Sequence, residues 1–183
     1  MSGQISYTVV RTVPLVAAWR TGRAPSSDAL VIARREARRL AVTALEQTGL
    51  LKVYHRQLHQ LIEQLAPGLQ DVPGLGPVTA AIIVCAYSHH GRVRSEAAFA
   101  ARGIAPQPAS SGNTSRHRLS RSGDRQLNRA FDIAVRSRMS YDPATRAYVA
   151  RRRSEGRSNR EIRRCLKRYV CRSVFRQLQT CMA

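Results

Sequence analysis

Two adjacent serines ahead of a glycine, Ser110-Ser111-Gly112, are the side chains of this sequence best placed to do chemistry. Arg116, His117, Arg118, Arg121 and Arg125 follow within a few residues. A small hydroxyl on a tight turn beside a dense cationic surface suits attack on a phosphodiester. The hydroxyl attacks phosphorus, and guanidinium groups neutralise the charge that builds on the non-bridging oxygens. A serine hydroxyl is a weak nucleophile without an activating base or metal, and His117, Asp124 and Asp132 are the bases at hand. The same residues also fit a basic loop that grips nucleic acid and does no chemistry, because Ser-Ser-Gly is an ordinary turn sequence.

The loop that carries these residues runs from Gly103 to Gly123, stiffened near its start by Pro106 and Pro108. Helices must hold both of its ends. Before it, Ser95 caps a short helix from Glu96 to Ala101. After it, a helix resumes at Asp124, with Leu127, Ala130, Phe131, Ala134 and Val135 as its buried stripe. Arg125, Asn128, Arg129, Asp132 and Arg136 cover the opposite face. Asp142-Pro143 pairs an N-cap with proline at the first helical position, and Gly156 ends the helix they open. Ser158 and Glu161 form a capping box for a last helix, on which Ile162, Leu166, Tyr169 and Val174 are expected to face inward.

Upstream, Pro67 and Gly68 break one helix, and Val72-Pro-Gly74-Leu-Gly76-Pro leads into an apolar helix from Val78 to Tyr87. An apolar-Gly-apolar-Gly turn opening a helix is the mark of a helix-hairpin-helix. Gly74 and Gly76 would let backbone N–H groups approach a DNA phosphate at a positive helix terminus. Gly-x-Gly also serves plain turns. Before Pro67, Leu51, Tyr54, Leu58, Leu61 and Leu65 recur at spacings of 3, 4, 3 and 4, a heptad seam only two heptads long. One amphipathic helix packed on its own domain reads the same way. Ser27 or Asp28 is expected to cap a preceding helix that Gly49 interrupts, giving two helices before Pro67. His55 and His59 stand at i, i+4, but no carboxylate or cysteine joins them, so they read as a solvated face rather than a metal site. No segment alternates with period two. The fold class is therefore all-α: a coiled-coil helical hairpin over 28–66, then a compact helical domain over 71–180, with residues 1–27 a leader or remnant.

Composition narrows the partner. The net charge is +20 on 183 residues, and all basic residues but Lys52 and Lys167 are arginine. Residues 1–90 hold 9 basic and 5 acidic groups (net +4), while residues 91–183 hold 22 and 6 (net +16). Arginine's planar fork matches phosphate oxygens in pairs, so the asymmetry points to nucleic acid. Cys85, Cys165, Cys171 and Cys181 form no CxxC pair and read as reduced thiols. The longest apolar run, Val78 to Tyr87, is too short to cross a bilayer. A cytoplasmic protein with no membrane partner and no metal site is expected.

PGLGPVTAAII, RSEAAFAARGIAPQPASSGNTSRHRLSRSGDRQLNRA and DPATRAYVARRRSEGRSNREIRRCLKRYV together resemble the C-terminal half of one family. It is the insertion-sequence transposase family named for the elements IS-one-ten and IS-one-sixteen, and the resemblance runs from about Val53 to Val174. It implies excision and integration of a mobile element through a phosphoserine link to DNA. The sites would be specified by a bridge RNA, and the protein would dimerise through a coiled coil. The family's serine directly precedes glycine, which maps the nucleophile to Ser111, with Ser110 the alternate. Gly74, Gly76, Arg116, His117, Arg118, Arg121, Arg125 and Arg129 would contact DNA.

The resemblance also implies an N-terminal RNase-H-like (RuvC-like) domain whose acidic tetrad holds magnesium. Only Asp28 precedes residue 36, so these residues are expected to be a truncated transposase with no cofactor of their own, inactive alone. Ala100-Ala101-Arg102-Gly103 is one residue shorter than the family's usual segment there. A non-catalytic basic helix-hairpin-helix binder, similar to certain ribosomal small-subunit proteins, is the competing reading. A third is a fragment that poisons full-length transposase through mixed dimers.

Overall fold

A computed structural model describes residues 12–20, 29–108, 117–119 and 123–182. The chain divides into two compact units, Met1–Arg56 and Gln57–Ala183. Helix α1 covers residues 12–17, and α2, Ala29–Leu65, begins in the first unit and ends in the second. In the first unit Arg34 lies over the Trp19 ring, 5.6 Å from its centroid, and Ala41 is buried.

Helix α2 is unbroken for 37 residues. The expected interruption at Gly49, and with it the helical hairpin, is corrected. One exposed glycine weakens a helix by only about 1 kcal/mol relative to alanine. The flanking residues are good helix formers, and the Thr48 hydroxyl donates to the Ala44 carbonyl at 2.7 Å inside the helix. The second unit takes in the last turns of α2, which the sequence assigns to the coil. There Ile62 is 3% exposed and Ala66 fully buried. The seam divides accordingly: Leu58 packs partly on the core, whereas Leu51, Tyr54, Leu61 and Leu65 stay exposed.

After Gly68, which takes a positive φ of 71°, comes a 3-10 turn, Leu69–Asp71. Then follow α3 (Pro77–Tyr87), α4 (Glu96–Ala101), β1 (Pro106–Pro108), β2 (His117–Leu119), α5 (Arg125–Tyr141), α6 (Pro143–Ser154) and α7 (Asn159–Cys181). The class is all-α, with one two-stranded ribbon, three residues a side, as the exception among the described residues. Helix α5 packs against α3, α6 and α7, and α4 packs against α7. The core fills with aromatic rings: Tyr87, Phe99, Phe131 and Phe175 meet at centroid distances of 5.9–6.3 Å, mostly edge to face. Each such pair adds about 0.5–1.5 kcal/mol beyond its buried area. The buried Tyr87 hydroxyl accepts from Gln179 Nε2 at 2.6 Å.

The helix caps are where local chemistry places them. Asp124 accepts from Leu127 N, Asp142 from Thr145 N and Ser158 from Glu161 N. Past α6, Gly156 turns left-handed at φ 79°, its N–H donating to Arg153 O and that of Arg157 to Arg152 O. This paired closure stops the helix. The buried stripe of α5 is Leu127, Ala130, Phe131, Ala134 and Val135. On α7 the inward face is Ile162, Leu166, Val170, Cys171, Val174, Phe175 and Leu178. The inward placement of Tyr169 is corrected, because it is 62% exposed. The i+4 ladder from Ile162 through Leu166 to Val170 and Val174 turns its neighbour outward.

Candidate functional site: a basic loop on a glycine neck

The loop leaves the helices at Gly103 and returns at Gly123, and these glycines touch. A Cβ on Gly103 would stand 2.5 Å from the Asp124 carbonyl oxygen. One on Gly123 would stand 2.9 Å from Gly103 Cα and 3.0 Å from Arg102 O. Only residues without a Cβ let two backbones come this close. The Asp124 N–H donates to Arg102 O across the same gap. Arg102 then reaches back into the bundle, its Nη1 donating to Ala86 O at 2.9 Å near the end of α3. Sequence reasoning missed Arg102, because its acceptor, Ala86 O, lies beyond the reach of any local pattern.

Beyond the neck, β1 and β2 pair antiparallel in the register Pro106↔Leu119, Gln107↔Arg118 and Pro108↔His117. A two-stranded ribbon alone is marginal in water, and prolines remove two of its donors. The neck supplies the anchoring it needs. Residues 109–116 join the strands. Ser110, Ser111, Arg116 and Arg121 lie outside the described residues. His117 and Arg118 are placed only by the backbone of β2.

Arg125 and Arg129 sit at the start of α5, immediately after the neck, and both are exposed. Neither has an ion-pair partner among the described residues. Cations here oppose the positive end of the helix dipole. Nothing acidic occupies the first turn of α5 to offset them; only the N-cap, Asp124, stands just ahead. An anion at this position would relieve that repulsion.

The carboxylates considered as activating bases are both engaged. Asp124 caps α5 through Leu127 N at 2.9 Å. Asp132 lies 3.2 Å from Lys167 Nζ, with Arg136 at 2.8 Å and Arg163 at 3.9 Å. Burial pushes its pKa up, but the Lys167 ammonium, seconded by Arg136 and Arg163, outweighs this and holds the carboxyl below its usual range. It is an anchor between α5 and α7, its oxygens engaged by three cations.

The hairpin glycines are also engaged inside the bundle. Gly74 has φ 87°, and a Cβ there would fall well inside contact distance of the Ala134 carbonyl oxygen and 2.8 Å from Arg138 Cγ. Its N–H donates to the Tyr141 hydroxyl. The Leu75 N–H donates to Val72 O at 3.0 Å, and the Gly76 N–H to Thr79 Oγ1 at 2.9 Å. All three hairpin amides therefore have internal partners, and Gly74 serves the packing of the turn on α5. No group of three or more His, Cys, Asp or Glu that could hold a metal occurs among the described residues, His55 and His59 included. No helix among them is long and apolar enough to cross a membrane.

Residues 66–150, which run from the end of α2 through the hairpin, neck, loop and α5 into α6, match the Transposase IS116/IS110/IS902 family. The class is that of insertion-sequence transposases. The chain belongs to this family through a C-terminal part of the transposase. It is similar to the "Insertion element IS110 uncharacterized 43.6 kDa protein" of Streptomyces coelicolor (strain ATCC BAA-471 / A3(2) / M145). Identity is 34% over 128 residues, covering 67% of this chain and 31% of that protein. The chain thus spans about a third of the length of the curated relative it matches.

Proposed function

We propose that this chain binds DNA and supplies the serine nucleophile for strand cleavage and exchange in DNA transposition. The single observation that carries this reading is the family match across residues 66–150, which contains the whole Gly103–Gly123 loop. The Ser111 hydroxyl attacks a DNA phosphorus: the Oγ–P bond forms, the bond to one deoxyribose oxygen breaks, and the serine proton is lost as the leaving oxygen gains one. Arg116, Arg118 and Arg125 neutralise the non-bridging oxygens. Arg121, Arg129 and His117 extend the contact along the strand. Ser110 is the alternate nucleophile.

The partners in this reading are DNA, a bridge RNA and a second copy of the chain, the last meeting the exposed Leu51, Tyr54, Leu61 and Leu65 of α2. It acts in the cytoplasm. An RNase-H-like domain with its acidic tetrad is needed for chemistry, so these residues alone bind DNA without cutting or joining it. The helix-hairpin-helix binder loses support at its own hairpin, where the amides of Gly74, Leu75 and Gly76 already have partners.

The test incubates the chain with labelled element-end DNA, with and without an intact RNase-H-like partner and its bridge RNA, and looks for a protein–DNA adduct on a denaturing gel. An adduct only in the complete mixture, lost in Ser111→Ala, is expected. Loss in Ser110→Ala with survival in Ser111→Ala moves the nucleophile by one residue. An adduct formed by the unassisted chain refutes its dependence on the acidic domain.

A further inference from the structure

Tyr169 is a large aromatic side chain turned into solvent from an arginine-rich helix. It is 62% exposed, yet it is not loose: the Arg138 guanidinium of α5 lies 6.0 Å from its ring centroid. Arg138 is itself only 13% exposed, so the cation that holds the ring is part of the bundle. Further along the same face of α7 come Arg172 and Arg176. With Ser173, Gln177 and Thr180 they join Tyr169 around a shallow concavity of about 300 Å³. No carboxylate lines it. Arg172 stands 3.9 Å from Glu96, a carboxylate already held at 2.6 Å by Arg168. Arg176 has no ion-pair partner among the described residues.

We infer that this face of α7 binds a single-stranded stretch of nucleic acid, with an unpaired base stacked on Tyr169 and the adjoining phosphates on Arg172 and Arg176. An exposed ring beside Arg176, which no carboxylate among the described residues opposes, and Arg172, whose carboxylate is shared with Arg168, matches such a strand in both its parts. Aromatic faces take bases of any identity, and arginines take the phosphates between them. A duplex fits poorly, because its base faces are already stacked on one another. Helical rise places Tyr169 and Arg172 about 4.5 Å apart along the axis, and Arg172 and Arg176 about 6 Å apart. Ser173 and Thr180 add hydroxyls, and Gln177 an amide, along the same line. DNA and RNA single strands share this chemistry. The surface does not depend on the loop serines, and it gives α7 a role that the proposed chemistry leaves vacant.

The test measures fluorescence anisotropy of the full chain with labelled oligothymidylate, labelled oligouridylate of about 20 nucleotides, and a blunt DNA duplex of the same length. Tyr169→Ala is expected to weaken single-strand binding by about five- to one-hundred-fold, Tyr169→Phe to stay within about twofold of wild type, and duplex binding to change less than twofold. Arg176→Gln should flatten the plot of log affinity against log salt by about 0.7 on single strands. A loss confined to one of the two oligonucleotides identifies which of these two strands the surface accepts and supports the inference. Unchanged binding of both by Tyr169→Ala overturns it. So does a loss on the duplex as large as that on single strands.

Discussion

Replacing Gly74 by alanine tests whether the hairpin glycine serves packing or nucleic acid. At φ 87° an L-residue adopts the left-handed region, which destabilises by roughly 1–2 kcal/mol. The added methyl also meets the Ala134 carbonyl and stands 2.8 Å from Arg138 Cγ, with α5 backbone on one side. Overpacking of that kind destabilises by about 1–3 kcal/mol. The sum is about 2–5 kcal/mol against a total stability of roughly 5–15 kcal/mol for a folded protein. In a chain of this size the melting temperature should fall by roughly 5–15 °C. Gly76→Ala is the partner experiment. Its φ is −97°, nothing lies within 4 Å of the new methyl, and the Gly76 N–H stays on Thr79. It should melt within about 2 °C of wild type, a change of no more than about 0.5 kcal/mol. Thermal and urea unfolding followed by circular dichroism, with duplex binding measured on the same samples, separates the possibilities. A stable Gly74→Ala, or a Gly76→Ala that folds normally and loses DNA affinity tenfold or more, would refute the reasoning.

Three further outcomes follow. Gly103→Ala should force the neck apart, because its methyl would stand 2.5 Å from Asp124 O; limited proteolysis should then cut the loop faster while the helical signal persists. Asp132→Asn should destabilise by about 1–3 kcal/mol near neutral pH by leaving Lys167, 14% exposed, short of its anion. The folded carboxyl is lowered, so its contribution is present above the ordinary carboxylate pKa and fades as pH falls through the lowered folded value. The variant's deficit should therefore shrink in acid, read from denaturant midpoints across pH. Cys171 is buried, and burial pushes its thiol up to about 12; a native-state maleimide time course should label exposed Cys85 and Cys165 and spare Cys171 until the chain unfolds.

What the sequence made legible was local. Asp124, Asp142 and Ser158 announce their helices because a cap and the amide it accepts from lie within three residues. The stripe of α5 is legible because a buried face repeats with the helical period. Gly49 misleads for the opposite reason: glycine lowers helix propensity wherever it stands, and only the summed preference of its neighbours shows that α2 runs through it. Gly74 advertises a special backbone, but the partner that demands it, Ala134, lies in another helix far along the chain. Tyr169 sits beside the buried Val170, and which of two neighbours turns inward is decided by what α7 meets. Within the candidate site, the arginine cluster and the serines announce themselves by type. The neck does not, since Gly103 and Gly123 stand far apart in sequence and their contact leaves no local pattern.

That meeting point has a bearing on how the protein varies. With Gly103 and Gly123 packed against each other, the segment between them is a closed circuit whose two terminals lie side by side on the bundle. Lengthening such a circuit is cheap: each doubling adds only about 0.6 kcal/mol of closure entropy. Relatives can therefore rewrite or extend the tip while the helices keep their register, and a tip transplanted between two members at these glycines should carry its own preferences with it. The bundle acts as a socket, and selection can try new fittings without rebuilding the wall.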